Sequence, residues 1–155
     1  MPERETLERA REDAREGKSP STQAGEFVRE EIHHVREGKH GARSSKQAIA
    51  IGLSKARRAG VKLPAPKGSA SVRKKAAQET EEGKHPGHKV SAKRSRSTLS
   101  ALGREPRKAA SHEALSRQAL KSATKRGKKS RVKAAVKAAR TRRAARASRS
   151  PSGLP

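Results

Sequence analysis

The chain has 155 residues and a formal charge of +25, with 40 Lys+Arg against 15 Asp+Glu. Leu, Ile, Val and Phe number only 19, and Cys, Trp and Tyr are absent; at such charge, that supply of large apolar side chains makes disorder the default expectation and argues against a conventional globular core. The lack of Cys also excludes disulfides, thiolate zinc sites and a thiol nucleophile, and no apolar run approaches the roughly 18 residues of a membrane span.

Charge is divided unevenly. Residues 1–37 hold 7 basic and 10 acidic groups, residues 38–67 hold 8 basic and no acidic ones, and residues 91–155 hold 20 against 2. A solvated surface mixes both signs, whereas this asymmetry suits a basic region that binds a polyanion. The acidic start, Met1-Pro2-Glu3-Arg4-Glu5, is unlike a signal peptide, so a soluble cytoplasmic protein, located at the nucleoid, is the expectation.

In chain order, residues 1–18 read as a charged, frayed helix with Leu7 as its only large apolar side chain, docking weakly if at all. Residues 19–63 read as an αα-hairpin. Its first helix starts at Pro20 with Ser19 as N-cap, carries Ala24, Phe27, Val28, Ile32 and Val35 on one face, and stops at Gly38. Ser44 and Gln47 have the spacing of a capping box for the second helix, whose face is Ile49, Gly52, Leu53 and Ala56. Gly52 weakens a helix interior by about 1 kcal/mol, which is tolerable where two backbones must approach closely. Residues 64–90 read as a linker containing Pro and Gly, with a weak helix near 71–82 whose early cations and late acids oppose the helix dipole. Residues 91–155 read as a basic, Ala/Ser-rich region whose helices form conditionally, when phosphates neutralise their charge. The expected fold class is therefore mostly α and largely disordered: one short αα-hairpin plus conditional Ala/Lys/Arg-rich helices.

Little in the sequence points to chemistry. Asp13 is the only aspartate, no nucleophile motif or P-loop spacing is present, and neither an enzyme nor a cofactor is expected. His33, His34, His40, His85 and His88 invite a metal reading, but adjacent His33 and His34 point about 100° apart on a helix. Surface imidazoles beside Glu30, Glu31 and Glu37 are expected instead, with no metal site.

The basic residues are the functional signal. Lys39, His40, Arg43 and Lys46 surround the start of the second hairpin helix, where free N–H groups favour an anion, and Arg57 and Arg58 stand at its end. Lys93, Arg94 and Arg96 follow. Then come Lys125, Arg126, Lys128, Lys129, Arg131, Lys133, Lys137, Arg140, Arg142, Arg143, Arg146 and Arg149, spaced by Ala and Ser. Phosphate neutralisation by such a set releases counterions and gives affinity without sequence choice. With one Phe there is no platform for stacking unpaired bases, so duplex DNA or structured RNA fits better than a single strand, and DNA is the expected partner ahead of RNA. RNA or ribosome association, a hydrophilin-like stress protectant, and a protein adaptor or self-association through residues 20–60 are the alternatives. The acidic residues 1–37 are expected to compete with nucleic acid for the basic region.

Two resemblances bear on this. Glu37-Gly38-Lys39-His40-Gly41 followed by Ser44–Gly60 (SSKQAIAIGLSKARRAG) resembles the core motif of a family of small, basic, uncharacterised bacterial proteins. The similarity extends more loosely through Arg107–Gln118 (RKAASHEALSRQ) and implies a bacterial origin. Separately, Lys128–Arg149 resembles in composition the Lys/Ala-rich tails of linker histones and their bacterial histone-like counterparts, without a winged-helix domain.

Overall fold

The structure is a computed structural model in which residues 2–85 and 91–149 are described; Pro86–Val90, including His88 and part of the expected linker, and Ser150–Pro155 lie outside them. Among the described residues there are six α-helices: α1 (Arg4–Arg15), α2 (Pro20–Glu37), α3 (Ser45–Arg58), α4 (Ala70–Lys84), α5 (Ala92–Gly103) and α6 (His112–Arg149), with a 3-10 turn at Arg107–Ala110 before α6. The chain divides into two units, residues 1–115 and 116–155.

The expectation of a largely disordered chain is overturned: the described residues are overwhelmingly helical and residues 1–115 form a compact helical bundle. The expectation counted large apolar side chains, but most of this core is alanine, packed where helices come close. One cluster joins Ala10, Ala24, Phe27, Ala56 and Val61, with Leu7, Leu53 and Leu63 against it. A second joins Val35, Ala42, Ala48, Ala109 and Ala110, with Ile32 beside it. Small residues allow short interhelical separations, so dispersion contacts accumulate even though each side chain buries little area.

The hairpin is antiparallel, with Ala24 and Ala56 in one cluster at one end and Val35 and Ala48 in the other cluster at the opposite end. Gly52 sits at a close approach of the two helices: a Cβ there would lie 2.7 Å from Val28 Cα. The Ser19 hydroxyl accepts the Thr22 N–H. Gly38, at φ 79°, ends α2 in the left-handed conformation, and the Lys39 N–H returns to the His34 carbonyl at 3.0 Å, as a glycine C-cap requires. At α3 the Ser44 hydroxyl accepts the Gln47 N–H, while the Gln47 amide oxygen accepts the N–H of Arg43 rather than that of Ser44.

Three further segments complete the bundle. Helix α1 docks on α2 through Leu7 and Ala10 and through an ion pair of Arg9 with Glu26 at 2.6 Å, so it is more than a frayed end. Helix α4, weakened by its own charge order, is held to α3 by one of its late acids. Glu79 is buried, accepts the Ser54 hydroxyl at 2.6 Å, and lies 3.9 Å from both Arg57 and Arg58. Residues 102–110, within the span read as the basic region, close over the α2–α3 link. The Gly41 N–H donates to Leu102 O, Ala42 N–H to Pro106 O, Ser45 Oγ to Ala109 O and Arg36 Nε to Ala110 O. Gly41 has no alternative there, because a Cβ would collide with the backbone carbonyl of Glu105.

In the second unit the helix continues to Arg149, interrupted at Gly127 by a non-helical φ of 74° and ψ of 163°. Val132 and Val136 are half exposed there.

Candidate functional site

Two arrangements of functional side chains emerge, a buried polar cluster in the bundle and a basic helical surface in the second unit.

The polar cluster is built on the face of α2 that makes the core. Glu31 follows Phe27 by four residues and precedes Val35 by four, so helical geometry turns it inward, and its side chain is fully enclosed. Glu30 is also buried. Lys55, projecting from α3, places its Nζ 3.0 Å from Glu30 Oε1 and 2.8 Å from Glu31 Oε2. Glu30 additionally accepts the backbone N–H of Glu3 at 3.0 Å, which ties the start of α1 to α2. Burial pushes the Glu30 carboxyl up, but Lys55 and the Glu3 N–H outweigh it and hold it below the usual carboxylate value. Burial likewise pulls the Lys55 ammonium down, and the two carboxylates reverse that and raise it.

On the other side of Glu31 stand two imidazoles. His40, from the α2–α3 link, puts Nε2 3.1 Å from Glu31 Oε1 with its side chain 10% exposed. Its Nδ1 is 3.0 Å from the Gly41 carbonyl oxygen. His34, one turn after Glu31, meets the His40 ring edge to face with centroids 6.1 Å apart. His34 Nε2 is 2.8 Å from Glu3 Oε1, which Lys39 Nζ also reaches at 3.1 Å. His34 and Lys39 together hold the Glu3 carboxyl down at about 2. One donor atom from each of Glu31, His34 and His40 lies within 4.8 Å of the other two.

This differs from the expected picture of surface imidazoles. His33 is exposed as its position predicts, but His34 and His40 are drawn together by the return of the link at Gly38. The missed signal is a glutamate at the centre of an apolar stripe, Ala24-Phe27-Glu31-Val35, facing a helix with Lys55 beside Gly52 and Ala56. A charge on each of two facing stripes marks an internal pair.

The bundle takes up several of the cations expected to contact nucleic acid. Lys39 pairs with Glu3 and Glu37, His40 faces Glu31, Arg57 is buried near Glu79, and Arg58 bonds Ser54. Arg43 and Lys46 near the start of α3, and Lys93, Arg94 and Arg96 on α5, are exposed. Most acids of α1 and α2 are engaged by cations of the same bundle, as in Arg4–Glu8 and Lys18–Asp13.

The second unit is the opposite. From Ala114 onward the sequence contains no Asp or Glu. Lys125, Arg126, Lys128, Lys129, Arg131, Lys133, Lys137, Arg140 and Arg143 are exposed, and none forms an ion pair among the described residues. Arg142 is exposed and its Nε donates to the Ala138 carbonyl at 3.3 Å; Arg146 is exposed too, and the side chain of Arg149 lies outside the described set. Lys129, Lys133 and Lys137 form a row at i, i+4 spacing, rising about 6 Å per step. No described helix is long and apolar enough to cross a membrane.

Comparison with known proteins adds one similarity. Residues 16–67, about a third of the chain, match a family of unknown function (DUF6496). That stretch spans α2, the link and α3, and so contains Glu30, Glu31, His34, His40 and Lys55. No curated protein and no solved structure matches the chain. The α2–α3 hairpin is thus similar to an uncharacterised family, as the sequence led one to expect.

Proposed function

We propose that the protein binds nucleic acid without sequence preference, by neutralising backbone phosphates with the cations of α6. The observation that carries this reading is the contrast between the units: the bundle pairs much of its charge internally, while α6 beyond Glu113 presents cations to solvent with no acid among them. Each phosphate contact releases condensed counterions, so such a surface gains affinity from any nucleic acid that can lie along it. The Lys129–Lys133–Lys137 row presents charge at regular intervals to one strand. Arg residues nearer the end add bidentate phosphate contacts. The compositional resemblance of residues 128–149 to linker-histone tails supports the same reading.

Duplex DNA, such as that of a bacterial nucleoid, is the favoured polyanion, since the single aromatic residue, Phe27, is buried in the core and no side chain remains to stack on unpaired bases. Lys39, His40, Arg57 and Arg58 leave the proposed interface, their charges being used inside the bundle. Arg43, Lys46, Lys93, Arg94 and Arg96 stay as secondary contacts.

The test is fluorescence anisotropy with two unrelated duplexes of about 20 base pairs and a structured RNA of similar charge. Both duplexes should bind with affinities within about threefold of each other, and truncation after Gly127 should weaken both by more than about tenfold. Tighter binding of the RNA would replace DNA as partner. Equal affinity before and after truncation would overturn the proposal.

A further inference from the structure

The Glu31–His34–His40 cluster has a chemical problem that a cation solves. Glu31 is fully enclosed; the Lys55 ammonium, 2.8 Å away, serves Oε2, whereas Oε1 has no aligned hydrogen-bond donor. Lys55 lies beside Oε2, leaving Oε1 facing only His40 Nε2. A carbonyl oxygen can only accept, so the contact of His40 Nδ1 with the Gly41 carbonyl places the ring proton on Nδ1. In the neutral imidazole this leaves the Nε2 lone pair directed at a carboxylate oxygen. His34 is arranged in the same sense: Nε2 donates to the Glu3 carboxylate, and the lone pair is on Nδ1. Each ring thus has an outer oxygen on one nitrogen and, when neutral, a lone pair free on the other, the pattern found around metal-bound histidines.

We propose that Glu31, His34 and His40 form a binding site for a divalent transition-metal ion, with zinc the best-suited. Two imidazoles and one carboxylate are a zinc-type donor set that leaves a fourth position open. The separations fit, since the three donor atoms lie within 4.8 Å of one another and the His40 Nε2 to Glu31 Oε1 distance of 3.1 Å suits two ligands of one ion. Glu31 and His34 stand at i and i+3 on α2, so one helical face supplies two ligands. His40 comes from the link that residues 102–110 close over. The bound ion would pin that link to α2 and lock the turn of the hairpin. Lys55 opposes a second cation electrostatically but holds Oε2, which orients Oε1 toward the imidazoles. Glu3 serves as the outer partner of His34 and brings the start of α1 into the same structure.

The test is calorimetric titration of the full-length protein with zinc chloride in a non-chelating buffer, alongside thermal unfolding with and without the ion. The expected result is one site per chain, tighter than about 10 µM, with Tm raised by about 5 °C at saturation. H40A and H34A should each lose at least about tenfold in affinity. H33A and H85A, which alter exposed imidazoles, should bind as the wild type does. Should H40A unfold, cobalt(II) absorption of the wild-type chain provides an independent measure: visible bands of tetrahedral or five-coordinate intensity are expected, and a spectrum matching aqueous cobalt would overturn the proposal. It is also overturned if zinc binds no more tightly than about 100 µM, or if H33A and H85A weaken it as much as H34A and H40A.

Discussion

Lys55→Ala is expected to destabilise the bundle by about 3–5 kcal/mol, the loss characteristic of removing one partner from a buried charge group. The reason is what remains. Glu30 and Glu31 have side chains that are 1% and 0% exposed, and without the ammonium two adjacent carboxylates stay buried, with only the neutral donors Glu3 N–H and Thr6 hydroxyl on Glu30 and the His40 ring beside Glu31. Ionised, they repel each other at low dielectric; protonated, they must take up protons at neutral pH, which also opposes folding. Urea unfolding followed by circular dichroism, in buffer free of divalent metal, reads the effect as a lower midpoint or, for a marginal bundle, as helix already lost without denaturant. The triple substitution Lys55→Met, Glu30→Gln, Glu31→Gln should recover much of the loss, because it removes the charges together. A single Lys55→Ala variant within about 0.5 kcal/mol of the wild type would show that water reaches the cluster freely.

Two glycines of the hairpin should respond to alanine with opposite signs. Gly52→Ala places a Cβ 2.7 Å from Val28 Cα, 2.9 Å from Val28 N and 3.0 Å from Phe27 O. These are backbone atoms of α2, so relief requires α3 to move away from α2 and the Phe27 core to open. A loss of about 1–3 kcal/mol is expected, outweighing the gain of up to about 1 kcal/mol from replacing a helix-interior glycine. Gly25→Ala on α2 meets nothing within 4 Å and should show that gain uncompensated, stabilising by about 0.5–1 kcal/mol. Chemical denaturation of the two variants in parallel checks the sign of each. Stabilisation by both would mean that the two helices are not in the close contact described.

The hairpin was legible because its signals are local. Ser19, Gly38 and Ser44 act within one turn of their own position, and the stripe Ala24-Phe27-Val28-Ile32-Val35 follows a single period. Gly52 was legible as a close approach because a glycine on an apolar helical face has few other uses. What escaped was non-local. The docking of α1 depends on Arg9 reaching Glu26 and on the Glu3 N–H reaching Glu30, pairings that no periodicity announces. The closure of residues 102–110 over the link rests on backbone hydrogen bonds at Gly41 and Ala42 and on two buried alanines, which carry no hydropathic signature. Glu79 appeared as an acid at the wrong end of its helix, and its use is visible only once Ser54, Arg57 and Arg58 are beside it. Disorder was expected for the same reason: composition records how much apolar area a chain owns, and this bundle relies on alanine packing, caps and internal ion pairs. The basic surface of α6 was read directly from sequence, since charge without counter-charge needs no partner to be seen. The imidazole cluster was not, because it depends on how the chain returns after Gly38.

The salt dependence of duplex binding tests the central claim most directly. The observed log K should fall linearly with log salt, with a slope near −0.9 for each phosphate neutralised. If one side of α6 engages about six to eight phosphates, the full-length chain should show a slope of about −5 to −7. Truncation after Gly127 removes ten of the cations between Lys128 and Arg149, and the slope should then become shallower by about four units or more. Replacing Lys129, Lys133 and Lys137 together by glutamine should account for about two to three of those units while leaving the helix content intact. A slope that the truncation leaves unchanged would contradict the account, because the affinity would then reside in the bundle or in contacts other than phosphate neutralisation.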